Sequence, residues 1–366
     1  MNYFAENYAQ ARGLFLAAAM SAGTDIETVT HPQHRGPSGE PLCIDVARKG
    51  PRNADNVLLT ICGTHGVEGY PGSAAQIWLL RSGVLDRLPD HVAVVFIHAL
   101  NPYAWSHDSQ RNEDGMDINR NFVDFRRIDP KPDPLQDKFA EILLGLDEMS
   151  FGALDQATRQ IFALRKEVGA KRFMDALAGG QYRLPQGIKY GGSQPSWSNL
   201  QFRRIVNAYL DRAPRIACLD WHTGIGDYGR LFPLCFCAPG SHMRQLVLQW
   251  WGGGTHRGSE SWASSGDDTP APDISGSTWI GLLEETPNAE VAGGVAEFGT
   301  VPFESIVQAV VLDHWLMFKA SPDASRYWRA QMRTFFAPRE TSWERSVMQQ
   351  ATDISTSTLA GLAAWK

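Results

Sequence analysis

Residues 56–69 read Asn56-Val57-Leu58-Leu59-Thr60-Ile61-Cys62-Gly63-Thr64-His65-Gly66-Val67-Glu68-Gly69, and how they are read decides the fold. The run 56–62 has the composition of a short strand buried on both faces. The segment 72–80 that follows reads as a helix. His65 and Glu68 therefore fall in a strand-to-helix turn, at the carboxyl edge of an open α/β sheet, where ligand crevices form. An imidazole and a carboxylate three residues apart can close on one metal ion, and Gly66 and Gly69 let the turn fold tightly enough to do so. Taken alone, the pair reads more readily as a solvated loop with an incidental His and Glu, and what raises it is the rest of the chain.

Working outward, 2–21 reads as a first helix, 42–47 as a strand and 92–97 as another, with a helix over 72–82 between the last two. Strand, helix, strand in that order predicts a parallel crossover. The pattern stops over 101–125, where polar residues crowd together, as in a binding loop. Helices are expected at 134–146, 154–179 and 199–212. The segment 190–197 suits a loop over a cleft, and a plain connector equally well. A strand at 214–220 runs into Trp221-His222-Thr223-Gly224. Another strand at 231–237 and a helix at 243–251 precede a Gly, Ser, Asp and Pro-rich stretch, 252–277, read as a surface excursion. A late strand, 292–299, carries Glu297 at its end. Helices at 303–319 and 322–335 close the fold. The expected architecture is a three-layer α/β/α domain over 1–335 with a central mixed, largely parallel sheet, followed by a C-terminal helix and tail at 336–366 that frays over 352–366.

The chain has 366 residues, 43% of them hydrophobic and 20% charged, enough for a large core and unlike a disordered polypeptide. A formal net charge of -6, with no basic block, gives no reason to expect a nucleic-acid partner. Five scattered cysteines in apolar runs suit reduced core thiols and a cytoplasmic address. The apolar segment 14–20 could pass for part of a signal peptide, but Glu6 stands where basic residues belong, and Phe4, Tyr8, Phe15 and Ala19 follow helical spacing. No apolar run approaches the ~20 residues of a membrane span, so no membrane partner is expected. Whether the chain forms a homo-oligomer is left open.

His65 with Glu68, His222 and Glu297 each fall at or just beyond the end of an expected strand, and parallel strands gather those ends at one sheet edge. Two histidines and one carboxylate make a catalytic zinc set, because three protein ligands leave a fourth position for water or a substrate oxygen. These residues, with Arg111 and the run Asp117-Ile118-Asn119-Arg120-Asn121-Phe122, resemble the motif series of the zinc carboxypeptidase superfamily. Asn101-Pro102 and the short spacing from Arg111 to Asn119-Arg120 are closer to its aspartoacylase and succinylglutamate desuccinylase branch. Asp220-Trp221-His222-Thr223-Gly224 with Gly226 and Tyr228-Gly229 is similar to bacterial predicted deacylases of that superfamily.

The resemblance implies one zinc ion per chain held by His65, Glu68 and His222, with Glu297 as general base and acid. It implies that Arg111 polarises the scissile carbonyl, a role that Arg126, Arg127 or Arg120 could also fill. Asn119 and Arg120, with Tyr228 beside them, would bind the substrate carboxylate; a guanidinium fork suits a carboxylate bidentately. Asp117 and Asp220 are candidates to orient a histidine, and for Asp220 a structural hydrogen bond is as good a reading. The expected activity is hydrolysis of an amide in a small molecule or short peptide with a free carboxylate, by an N-acyl amino acid deacylase or a carboxypeptidase. The rival is an inactive binding protein that keeps the zinc pocket. Two decoys are set aside. Residues 224–229 spell G-x-G-x-x-G, but the proline-containing run after them supplies no helix N-terminus for a pyrophosphate. Cys62, inside an apolar strand, reads as a packed thiol and not a nucleophile.

Overall fold

The computed structural model describes residues 3–252, 256–257 and 271–366. Among them, eight strands form one mixed sheet: β1 (Asp25–Arg35), β2 (Pro41–Lys49), β3 (Asn56–Cys62), β4 (Val92–His98), β5 (Arg215–Tyr228), β6 (Leu231–Cys235), β7 (His256–Arg257) and β8 (Glu290–Gly299). Their order is β1-β2-β4-β3-β5-β8-β6-β7. The central four, β4, β3, β5 and β8, are mutually parallel, while β2 and β6 join them antiparallel. Every residue of β3 and β4 is buried, as their largely apolar sequences require of strands covered on both faces.

The pleat sends alternate side chains to opposite layers. Leu58, Val94 and Leu219 pack against the helices Tyr8–Ser21, Gly69–Arg81, His242–Trp251 and Thr341–Ala364. Val57, Val95 and Ile216 pack on the other side against Trp197–Leu210 and Thr278–Glu285. A further cluster joins Pro134–Leu144, Phe151–Val168, Ala170–Ala178, Phe303–Phe318 and Pro322–Phe336. The architecture is the expected α/β/α sandwich. All five cysteines are buried and unpaired. Among the described residues no helix is long and apolar enough to cross a membrane.

Several elements differ from the sequence expectations. β1, Asp-Ile-Glu-Thr-Val-Thr-His-Pro-Gln-His-Arg, went unread because it is a mostly exposed edge strand with little apolar signal. The helix expected at 154–179 is two helices, broken at Gly169 with φ 81°. β5 does not stop at residue 220 but runs to Tyr228, through a register irregularity after Gly224, so the G-x-G-x-x-G lies in extended chain. The C-terminus does not fray: Thr341–Ala364 is one helix, with Val347, Ala351, Ile354 and Leu362 buried along a stripe. Asn56 Nδ2 donates to the carbonyls of Leu362 (2.7 Å) and Trp365 (2.8 Å), satisfying acceptors that a helix end leaves open. Truncating the buried Trp343 to alanine is expected to cost about 3–5 kcal/mol. Most of the surface excursion expected over 252–277 lies outside the described residues; 271–277 has no regular structure.

Candidate metal centre

β3 delivers the chain to a single 3-10 turn, Gly66–Glu68, from which the helix Gly69–Arg81 departs. Gly66 has φ 33°, and a Cβ there would lie 2.3 Å from the carbonyl carbon of Ala104, so only glycine allows this close approach. The turn brings His65 Nδ1 to 3.3 Å from Glu68 Oε1. From β5, His222 Nδ1 lies 3.0 Å from Glu68 Oε2, and the two imidazoles meet edge to face with centroids 5.0 Å apart. One ligand atom from each of His65, Glu68 and His222 lies within 4.8 Å of the other two, all three residues being buried. Among the described residues no other such group of histidine, cysteine and carboxylate side chains occurs.

The donor set fits zinc. Two imidazoles and one carboxylate make a catalytic zinc set, and their ligand atoms lie within 4.8 Å of one another. A carboxylate faces each far ring nitrogen, and at His65 it forms the hydrogen bond that metal-binding histidines require. His65 Nε2 is 3.0 Å from Asp117 Oδ1, and His222 Nε2 is 3.2 Å from Asp220 Oδ2. Asp117 also takes the Asn119 N–H at 2.9 Å, and Asp220 takes the hydroxyls of Thr64 (3.0 Å) and Thr278 (2.9 Å). Gln110 Nε2 and the Thr223 N–H steady Glu68 at 2.6 and 3.3 Å. Burial alone would lower the pKa of both histidines, but the facing carboxylates raise it, Asp117 and Glu68 for His65, Asp220 and Glu68 for His222. A cation held between the imidazoles and Glu68 would take the place of those protons.

Parallel pairing sets His222 directly opposite Glu297 of β8. Glu297 is 6% exposed, and its Oε1 accepts the Ile225 N–H at 3.2 Å. Burial, aided by the Glu68 charge, pushes this carboxyl up to about 7, in the range of an acid-base catalyst. His65, Glu68, His222 and Glu297 line one cleft of about 120 Å³ with Gln110, Asn119, Arg120 and Lys189. Its other walls are apolar: Met174 and Leu177 on one helix, Phe303, Ile306 and Val307 on another, and Phe336.

Arg120 is buried at the cleft wall, donating to the carbonyls of Ala178 (3.0 and 2.7 Å) and Asn119 (2.6 Å), with no carboxylate in ion-pair contact among the described residues. Asn119 Oδ1 is taken by the Thr278 N–H at 2.9 Å. Two expected residues are not brought to the cleft. Arg111 is sealed behind it, 3.4 Å from Asp313, donating to the carbonyls of Gly115 (3.3 Å) and Gly187 (3.0 Å) and lying over the Phe318 ring. Tyr228 is half exposed at the end of β5 and donates to Glu340 at 2.8 Å. Arg126, an alternative for Arg111, is exposed and grips Asp124. Sequence reasoning missed Gln110, Lys189 and the helical apolar wall. Only Lys189 left a trace, as the neighbour of the segment at 190–197 that suited a loop over a cleft.

Solved structures similar to this chain include bovine thrombin-activatable fibrinolysis inhibitor in complex with tick carboxypeptidase inhibitor (12% identity, 98% of this chain and 97% of that chain, TM-score 0.46). Others are carboxypeptidase A from Helicoverpa armigera (12% identity, 92% and 75%, TM-score 0.43) and a Shewanella amazonensis protein described as of the succinylglutamate desuccinylase/aspartoacylase family (14% identity, 80% and 72%, TM-score 0.33). No curated protein matches the chain. A family model does match, over residues 4–350, and on that match the chain belongs to DUF2817, a family described as of unknown function.

Proposed function

We propose that this protein is a zinc-dependent amidohydrolase acting on a small substrate with a free carboxylate, as an N-acyl amino acid deacylase or a carboxypeptidase. The observation that carries this reading is the meeting of His65, Glu68 and His222 beside Glu297 in one buried cleft. Zinc held by the first three supplies Lewis-acid polarisation of a carbonyl and activation of water near neutral pH. Glu297 takes the proton from the attacking water and returns it to the departing amine, a shuttle suited to a carboxyl poised at about 7. Arg120 has guanidinium N–H groups beyond those given to Ala178 and Asn119, and these anchor the carboxylate. The apolar walls exclude water and accept the acyl group or side chain. A pocket that merely binds has no need of a buried carboxyl set directly opposite His222.

The test is Glu297→Gln. The variant is expected to retain about one zinc per chain while hydrolysis of a panel of N-acyl amino acids and dipeptides falls by about 10²–10⁴. Turnover equal to that of the unaltered protein refutes the role. The same panel separates deacylase from carboxypeptidase by which members release free amine.

A further inference from the structure

We infer that Lys189 is a substrate-anchoring residue, forming with Arg120 the anion-binding wall of the cleft, a role that sequence reasoning gave to Asn119, Arg120 and Tyr228. This rests on the hydrolase reading for its purpose, but its geometry stands apart from the metal. Lys189 lines the cleft that holds His65, His222 and Glu297, and among the described residues it is the cleft's second cation besides Arg120. Its Nζ forms an ion pair with Asp117 Oδ2 at 2.9 Å, outside hydrogen-bond geometry, and the ammonium carries three N–H donors. Arg111 does not line that cleft: it is buried behind it, against Asp313 and the carbonyls of Gly115 and Gly187.

The backbone adds an independent observation. Lys189 has φ 50°, in the left-handed region that a side chain bearing a Cβ seldom adopts. Such conformations cluster at ligand clamps when the surroundings over-determine them. Here the Lys189 carbonyl accepts the Gln181 N–H at 3.1 Å, and the next carbonyl, that of Tyr190, accepts the Asp117 N–H at 2.8 Å. The strained residue is thus tied to the aspartate that holds His65, and its side chain is aimed along Asp117 into the cleft.

The experiment uses zinc-loaded protein and a matched pair of probes, 3-phenylpropanoate and its neutral amide 3-phenylpropanamide, the amide being checked by chromatography to survive the titration intact, with affinities from titration calorimetry and metal content measured on the same samples. The unaltered protein is expected to prefer the acid. Lys189→Met should weaken the acid about tenfold, leave the amide and the zinc content unchanged, and Lys189→Arg should recover part of the loss. Unchanged acid affinity in Lys189→Met, equal loss of acid and amide, or loss of zinc would each overturn the assignment, the last by showing that the lysine serves only to hold Asp117. Acid binding that depends on Lys189 in a protein that hydrolyses no member of the panel would sink the hydrolase reading and leave this inference standing.

Discussion

Replacing Asp117 by asparagine probes how the cleft prepares a histidine for a metal. The swap keeps the shape of the side chain and removes its charge. In the structure Asp117 faces His65 Nε2 at 3.0 Å with one oxygen and Lys189 Nζ at 2.9 Å with the other. It also caps the turn Ile118–Arg120 by accepting the Asn119 N–H. A charged acceptor behind the ring fixes the tautomer that presents Nδ1 to Glu68 and makes that nitrogen more basic. Loss of such a partner weakens metal binding by about 10–100-fold, equivalent to about 1.4–2.7 kcal/mol. An asparagine turned with its carbonyl toward His65 directs its N–H groups at the Lys189 ammonium, so the upper half of that range is expected. Zinc affinity measured by competition with a chromogenic chelator gives the number directly, and circular dichroism checks that the fold is intact. Affinity within twofold of the unaltered protein in a folded variant would refute the argument that Asp117 works through His65.

Two further outcomes concern the scaffold. Asp45 is fully buried and accepts from Arg12 at 2.7 and 3.1 Å and from Thr28 at 2.5 Å, so Asp45→Ala should lower stability by about 3 kcal/mol, read in urea, with zinc content unchanged. His98 is pushed down to about 3 by burial and then by the Arg12 charge, and His314 to about 3 by burial and the Arg111 charge. Because the folded state disfavours protonating them, their contribution is complete above the ordinary histidine value of 6.5 and is lost as pH falls from there toward 3. Roughly 2 kcal/mol per histidine should disappear by pH 5. Urea midpoints that do not move between pH 7.5 and pH 5 would contradict this, and His98→Asn should flatten the dependence.

The centre of the fold was legible because its strands are apolar runs ended by glycine or polar residues. β3, β4 and β8 could be read from such runs, and with them the positions of His65, Glu68 and Glu297 at one sheet edge. His222 could be placed for the same reason, although it sits inside β5 opposite Glu297 and not beyond the strand. What was not legible depends on contacts distant in sequence. Nothing local to Arg111 tells that Asp313, two hundred residues on, captures it, and nothing near Lys189 tells that its chain turns left-handed toward Asp117. The apolar cleft wall was hidden for another reason. Met174, Leu177, Phe303 and Phe336 look like ordinary core positions of helices, and only the packing of those helices at the sheet edge turns them toward a cleft. The second half of the last helix was obscured by its run of Ser and Thr, of which Ser355 and Thr358 are buried, Thr358 accepting the Trp251 indole N–H, a packing no propensity scale foretells.

X-ray absorption at the zinc edge of the purified, zinc-loaded protein tests the central claim most directly. The account predicts one zinc per chain with two imidazole nitrogens at about 2.0–2.1 Å and carboxylate oxygen at about 2.0–2.2 Å, and loss of that signal in His222→Ala after dialysis. A chain that takes up no zinc, or a His222→Ala variant that keeps a full equivalent in an unchanged coordination sphere, would contradict it.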